Sequence, residues 1–162
     1  MSAELAEAFV DQAKHHLIQD FLPKVGRCVE LLSDDEIWWR ANENTNSVGN
    51  LILHLCGNVH QWITAGLAQQ PDTRQRDLEF AERGPIPGDQ LMKKLDQTLS
   101  EAVRVLDSLE LDTFSSKHHI QVYDVTGLQA IFHVVEHFSY HTGQIIYITR
   151  MIKNIDLKFY RL

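Results

Sequence analysis

HVVEHFSYHTGQII, residues 133–146, carries histidines at 133, 137 and 141, each four residues from the next. A helix turns by about 100° per residue, so four residues move a side chain's direction by only about 40°. The three imidazoles therefore form one slowly drifting column, which Ile145 continues and Ile131, Val134, Phe138 and Thr142 flank. Apolar flanks at this spacing turn the column inward or into a cleft. The wider pattern predicts a helix from near Val125 to about Lys153. Leu128, Ile131, Phe132, Val135, Phe138, Ile145, Ile148 and Ile152 mark its core side.

Three further helical patterns precede it. Leu5, Phe9, Ala13, His16, Leu17, Asp20 and Phe21 recur at threes and fours within a pattern from about Ala3 to Leu32, which Pro23 should kink or interrupt. Ser33 or Asp34 can cap a short turn in SDDEIWW. Asn46 or Ser47 can cap the next helix, where Val48, Leu51, Ile52, Leu55, Val59, Trp62, Ile63 and Leu67 make one apolar stripe. The third runs from about Gly88 to Leu109, with Leu91, Leu95, Leu99, Ala102, Val103 and Leu106 inward. Pro71, Pro85 and Pro87, with Gly84 and Gly88, mark residues 71–87 as a connection. HHIQVYDVT, before the last helix, reads as an extended piece.

Four long helices with one apolar face each have a standard solution, an all-α four-helix bundle. The chain has 162 residues, which suits one domain, 1–162, with a core of ordinary size. Its formal net charge of -7 disfavours nucleic acid; the stretch RMIKNIDLKFYRL is the only basic candidate. Cys28 and Cys56 lack a CxxC spacing, so neither a disulfide framework nor a zinc–thiolate site is expected. No apolar run is long enough to span a bilayer, and the N-terminus does not read as a signal peptide. These features predict a soluble, cytoplasmic protein with no membrane partner.

Buried imidazoles need hydrogen-bond partners or a metal. Two histidines at i and i+4 can reach one cation, and bundle sites complete such a set from a facing helix. His54, at the edge of the second helix's apolar stripe, is the candidate there; His60 points elsewhere. Histidines that merely satisfy one another, or a pH-sensitive interface, are the competing readings.

HLCGN at 54–58 and EHFSYHTGQI at 136–145, in this order and spacing, resemble the DinB/YfiT-like superfamily of bacterial metalloenzymes. WWRANENTNSVGNLILHLCGN and RQRDLEF look like a less-studied branch of that group, and the likeness covers essentially the whole chain. The resemblance implies an up-down-down-up bundle, often a homodimer, with a divalent metal, nickel or zinc, held by His54, His137 and His141. His133 then lies one turn before the site, as a hydrogen-bonding neighbour or a substitute ligand; on geometry the pair could instead be His133 and His137. The resemblance further implies a low-molecular-weight thiol, such as bacillithiol or mycothiol, transferred to a small-molecule substrate. Metal-assisted hydrolysis and a non-catalytic metal-binding stress-response bundle are the alternatives. No catalytic residue is assigned.

Around the site, Asn58 lies one turn after His54 and faces the same way, to orient water or satisfy a buried contact. Gln144, three residues after His141, could bond a ligand histidine or the facing helix. Glu136 reads as surface charge, Ser139 points away from the column, and Cys56 is about 200° around the helix from His54. Trp38 and Trp39 read first as packing at the bundle's end and second as a cleft wall. Asn42, Glu43, Asn44 and Asn46 read first as solvated loop and second as ligand contacts, as do Arg74, Arg76, Asp77 and Glu79, where a basic pair could hold an anionic substrate.

Overall fold

A computed structural model describes residues 2–159. Tyr160, Arg161 and Leu162, the end of the basic C-terminal stretch, lie outside the described residues. The first rod comprises α1 (Ala3–Lys14), a π-helical turn (His15–Phe21) and α2 (Leu22–Leu31). Pro23 falls in the first turn of α2, directly after the π turn, whose wider bonding accommodates the missing N–H without ending the rod. A single turn, α3 (Asp34–Ile37), follows, capped by Ser33 and Glu36 bonding each other's backbone. The second rod is α4 (Val48–Val59), continued by a π turn (His60–Ala65). Ser47 caps it reciprocally with Asn50. After the short α5 (Arg76–Ala81) comes the third rod, α6 (Gly88–Asp107). The strands β1 (Lys117–Ile120) and β2 (Tyr123–Thr126) pair antiparallel, so the extended piece is a hairpin added to the helical bundle. The fourth rod is α7 (Gly127–Lys153), with Thr126 as its N-cap.

Side-chain pairings give the direction of every rod. Lys14 bonds Asp107 at 2.7 Å while Gly26 faces Met92, so α1–α2 and α6 run in opposite senses. Phe21 stacks on Phe138 and Glu36 pairs with Lys153, so α7 runs with the first rod. His54 meets His141 and His137 while Asn58 meets His133, so α4 opposes α7. The order is up-down-down-up, and α4 and α6 are parallel neighbours. The chain must therefore travel back along the bundle between them, which is the task of residues 66–87.

The core lies between the rods. Leu17, Leu51, Ile52, Leu55, Leu91, Leu95, Leu99, Ile131, Phe138 and Ile145 are fully buried. Burying each such side chain is worth about 1.5–3 kcal/mol. Two expected core positions are not core: Leu5 is 59% exposed and Phe132 58%. Both sit at the edge of an apolar stripe, where no facing rod reaches. Among the described residues no helix is long and apolar enough to cross a membrane.

Candidate metal centre

His54 from α4 and His137 and His141 from α7 converge at the seam between these two rods. His54 Nε2 lies 3.1 Å from His137 Nε2, and His141 Nε2 lies 3.2 Å from the same atom. One ring nitrogen from each of the three falls within 4.8 Å of the others. His133 is not part of this trio. Its Nε2 lies 3.3 Å from Asn58 Nδ2, and its ring packs on Trp62 at 3.9 Å between centroids. Asn58 thus does face the His54 side, but it serves His133, and its Oδ1 is buried without a partner.

The outer nitrogens explain the inner ones. His141 Nδ1 lies 2.7 Å from Gln144 Oε1, as the three-residue spacing allows. His54 Nδ1 lies 2.9 Å from Glu79 Oε2. Both oxygens can only accept, so each Nδ1 carries the proton and each Nε2 presents a lone pair. Arg74 Nη2 stands 3.1 Å from the same His54 nitrogen, but it also lies 2.9 Å from Glu79 Oε2, its better acceptor. Two lone pairs then face His137 Nε2, which has at most one proton to offer. Mutual hydrogen bonding cannot satisfy all three rings; a cation at the convergence point can. Nitrogens about 2.0–2.1 Å from a tetrahedral cation stand about 3.3 Å apart, close to the 3.1 and 3.2 Å that separate His137 Nε2 from the other two. An all-imidazole donor set suits a first-row transition ion, whereas calcium and magnesium prefer oxygen.

Burial favours the neutral form of His137 and His141. Desolvation, then the neighbouring imidazoles and Arg74, push His137 down to about 3. Desolvation lowers His141 against the opposing bond to Gln144, and it lowers His133 as well. Neutral imidazole is the form that binds a metal.

Glu79 and Arg74 correct the first sequence reading of them, as solvated charges. Their side chains are 10% and 3% exposed. Arg74 grips the carboxylate with two nitrogens, Nε to Oε1 at 2.7 Å and Nη2 to Oε2 at 2.9 Å, and gives Nη1 to Gln61 Oε1 at 2.8 Å. Burial raises the Glu79 pKa, but the bonds from Arg74 and His54 outweigh it and leave it below the usual carboxylate range. Asn50 holds the segment in place, donating Nδ2 to the carbonyls of Glu79 and Glu82, both at 2.9 Å. Phe80 packs on the His54 ring at 4.7 Å. The only sequence signal was RQRDLEF itself, apolar residues alternating with charges inside a Pro- and Gly-marked connection.

The remaining candidates divide. Glu136 and Ser139 are exposed, and Arg76 and Asp77 are exposed too, Arg76 lying over the Phe80 ring. Cys56 is buried away from the trio, and burial pushes its thiol up to about 11, which makes it inert. His60 stands outside the trio in a separate cleft with Lys94 and Glu101. Trp38 is packing, lying against Gly49 and donating Nε1 to Ile86 O at 3.0 Å. Trp39 is 41% exposed and lines a cleft.

A family model described as a protein of unknown function, DUF1572, matches residues 4–161. Solved structures share the fold. A conserved protein from Enterococcus faecalis is 16% identical, with a TM-score of 0.69 over 96% of this chain and 99% of that one. A DinB-like protein from Bacillus subtilis is 18% identical, with a TM-score of 0.69 over 93% and 98%. A DinB-like protein from Bacillus cereus is 14% identical, with a TM-score of 0.63 over 84% and 93%. No curated protein matches the chain.

Proposed function

Because the chain belongs to DUF1572, a family of unknown function on a DinB-like fold, we propose from its own site that it is a metal-dependent enzyme. In this reading His54, His137 and His141 hold one zinc or nickel ion. The observation that supports it is the convergence of three Nε2 atoms, with the outer nitrogens of His54 and His141 already committed to Glu79 and Gln144 and that of His137 buried without a partner. Three neutral protein ligands leave the ion a free position, the pattern of catalytic sites; structural zinc is normally closed by four. A bound divalent ion would lower the pKa of a coordinated thiol or water and so supply a nucleophile near neutral pH.

The protein's own residues prepare that position. Glu79 and Gln144 orient two rings, and Arg74 keeps Glu79 ionised. Phe80 covers one side of the His54 ring. The favoured chemistry is transfer of a low-molecular-weight thiol to a small electrophile, following the family likeness of HLCGN and EHFSYHTGQI. Hydrolysis through bound water is the second reading, supported by the same open position.

Metal analysis of untagged protein, followed by zinc and nickel titration, tests the centre. His137→Ala should abolish tight binding and His60→Ala should leave it unchanged; equal loss in both would place the site elsewhere. A conjugation screen with several low-molecular-weight thiols then separates transferase from hydrolase.

A further inference from the structure

Beside the trio lies a cleft of about 620 Å³, within the size range of small-molecule sites. It begins where the histidines end. Leu51, one turn before His54, and Gln144, the partner of His141 Nδ1, both line it. So does Tyr140, whose ring meets His141 edge-on at 5.0 Å between centroids. The cleft runs from there along α7 to Tyr147, with Trp39 across from it on the loop before α4.

Its lining is neutral. No Asp, Glu, Lys or Arg lines it among the described residues, in a chain where 23% of residues are charged. The cleft near His60 contrasts, being lined by Arg74, Glu79, Glu82, Lys94 and Glu101. One wall of the neutral cleft is braced from within. Arg40 ties the loop wall by donating to the carbonyls of Thr45 and Glu43, and Asn42 accepts from Asn44 N at 2.9 Å. Asn44 and Asn46 reach its rim, offering amide donors and acceptors.

From these observations the geometry points to this cleft as the binding site for a neutral, largely apolar small molecule with an aromatic or branched body. The aromatic walls supply area, the amides orient a carbonyl or hydroxyl group, and Gln144 joins the site to His141. A charged ligand would have to shed its hydration with no counter-charge to replace it. That the bound molecule is the reaction's substrate rests on the metal-centre reading; the binding itself does not.

The test is a titration of full-length protein, with and without one equivalent of zinc, using the neutral dye N-phenyl-1-naphthylamine. Saturable one-to-one fluorescence enhancement is expected. The double variant Trp39→Ala/Tyr147→Ala should weaken it at least tenfold while leaving zinc affinity within twofold, since neither side chain contacts a histidine of the trio. Both are exposed, at 41% and 69%, so the variant should fold, which circular dichroism checks. 1-Naphthol should displace the dye and tetramethylammonium should not. Dye affinity unchanged in the double variant would overturn the assignment, as would displacement by the cation alone. So would sedimentation showing that the parent is a dimer, the variant a monomer, and neither binds dye. Dye binding without zinc binding would overturn the metal centre and leave the cleft standing. Zinc binding without dye binding would do the reverse.

Discussion

Replacing Glu79 by glutamine examines the link between the return segment and the metal centre with little change of shape. The carboxylate now takes two bonds from Arg74 and one from His54 Nδ1, at 2.7, 2.9 and 2.9 Å. An amide keeps one accepting oxygen, which Arg74 will claim, and turns its NH₂ toward His54. The imidazole then answers by accepting at Nδ1, and the proton moves to Nε2, where the lone pair was needed. Loss of such an outer partner lowers metal affinity by about 10–100-fold, or about 1.4–2.7 kcal/mol. Stability should fall as well. Arg74 keeps Gln61 and the amide oxygen but loses its counter-charge in a nearly dry site, which costs on the order of 1–3 kcal/mol. Competition between the protein and a chromophoric chelator for zinc at pH 7 reads the first effect, and thermal melting of the metal-free chain reads the second. The reasoning fails if Glu79→Gln binds zinc as tightly as the parent while Gln144→Ala weakens it, for then the His54 tautomer does not depend on Glu79.

Three other outcomes are expected. Metal-free protein should lose stability on acidification. His133, His137 and His141 have lowered pKa values in the fold, so the unfolded chain binds more protons from about pH 6.5 downward and stability falls with pH. Glu79, also lowered, adds a further loss below about pH 4.5 as it protonates; urea midpoints from pH 8 to 4 check this, and a flat profile contradicts it. Leu99→Ala opens a cavity at a fully buried position of α6 and should cost about 2–5 kcal/mol in chemical denaturation, whereas Phe132→Ala, at an exposed one, should cost under about 1 kcal/mol. Thr126→Ala removes the cap that accepts from Gln129 N at 3.2 Å, and should lower the melting free energy by about 1 kcal/mol without altering zinc affinity.

The helices were legible because each repeats its burial every three or four residues. The stripe from Val48 to Leu67 is buried along its length, and the cap at Ser47, the interruption of the α pattern by a π turn before Pro23 and the extended HHIQVYDVT all correspond to observed features. Leu5 and Phe132 show the limit of periodicity, which says that a side of a helix is apolar but not where the facing rod ends. The histidine column was visible for the same reason, yet spacing alone could not tell which two of His133, His137 and His141 would meet His54. That choice depends on how far α4 has advanced when it crosses α7 in the opposite sense, and Asn58, one turn past His54, takes His133 as its partner.

Glu79 and Arg74 mark the division most clearly. Alone, a charged residue in a Pro-rich connection carries no sign of burial, because its partners lie 5 to 25 positions away and on another element. The parallel placement of α4 beside α6 is what sends residues 66–87 back over the seam, where Asn50 holds them and Glu79 reaches the imidazole. Local sequence thus determined which sides of the helices are dry and which residue types could bind a metal. The tertiary structure decided which of them converge and which carboxylate orients them, because convergence is set by the direction and offset of whole helices, and no single helix contains that information.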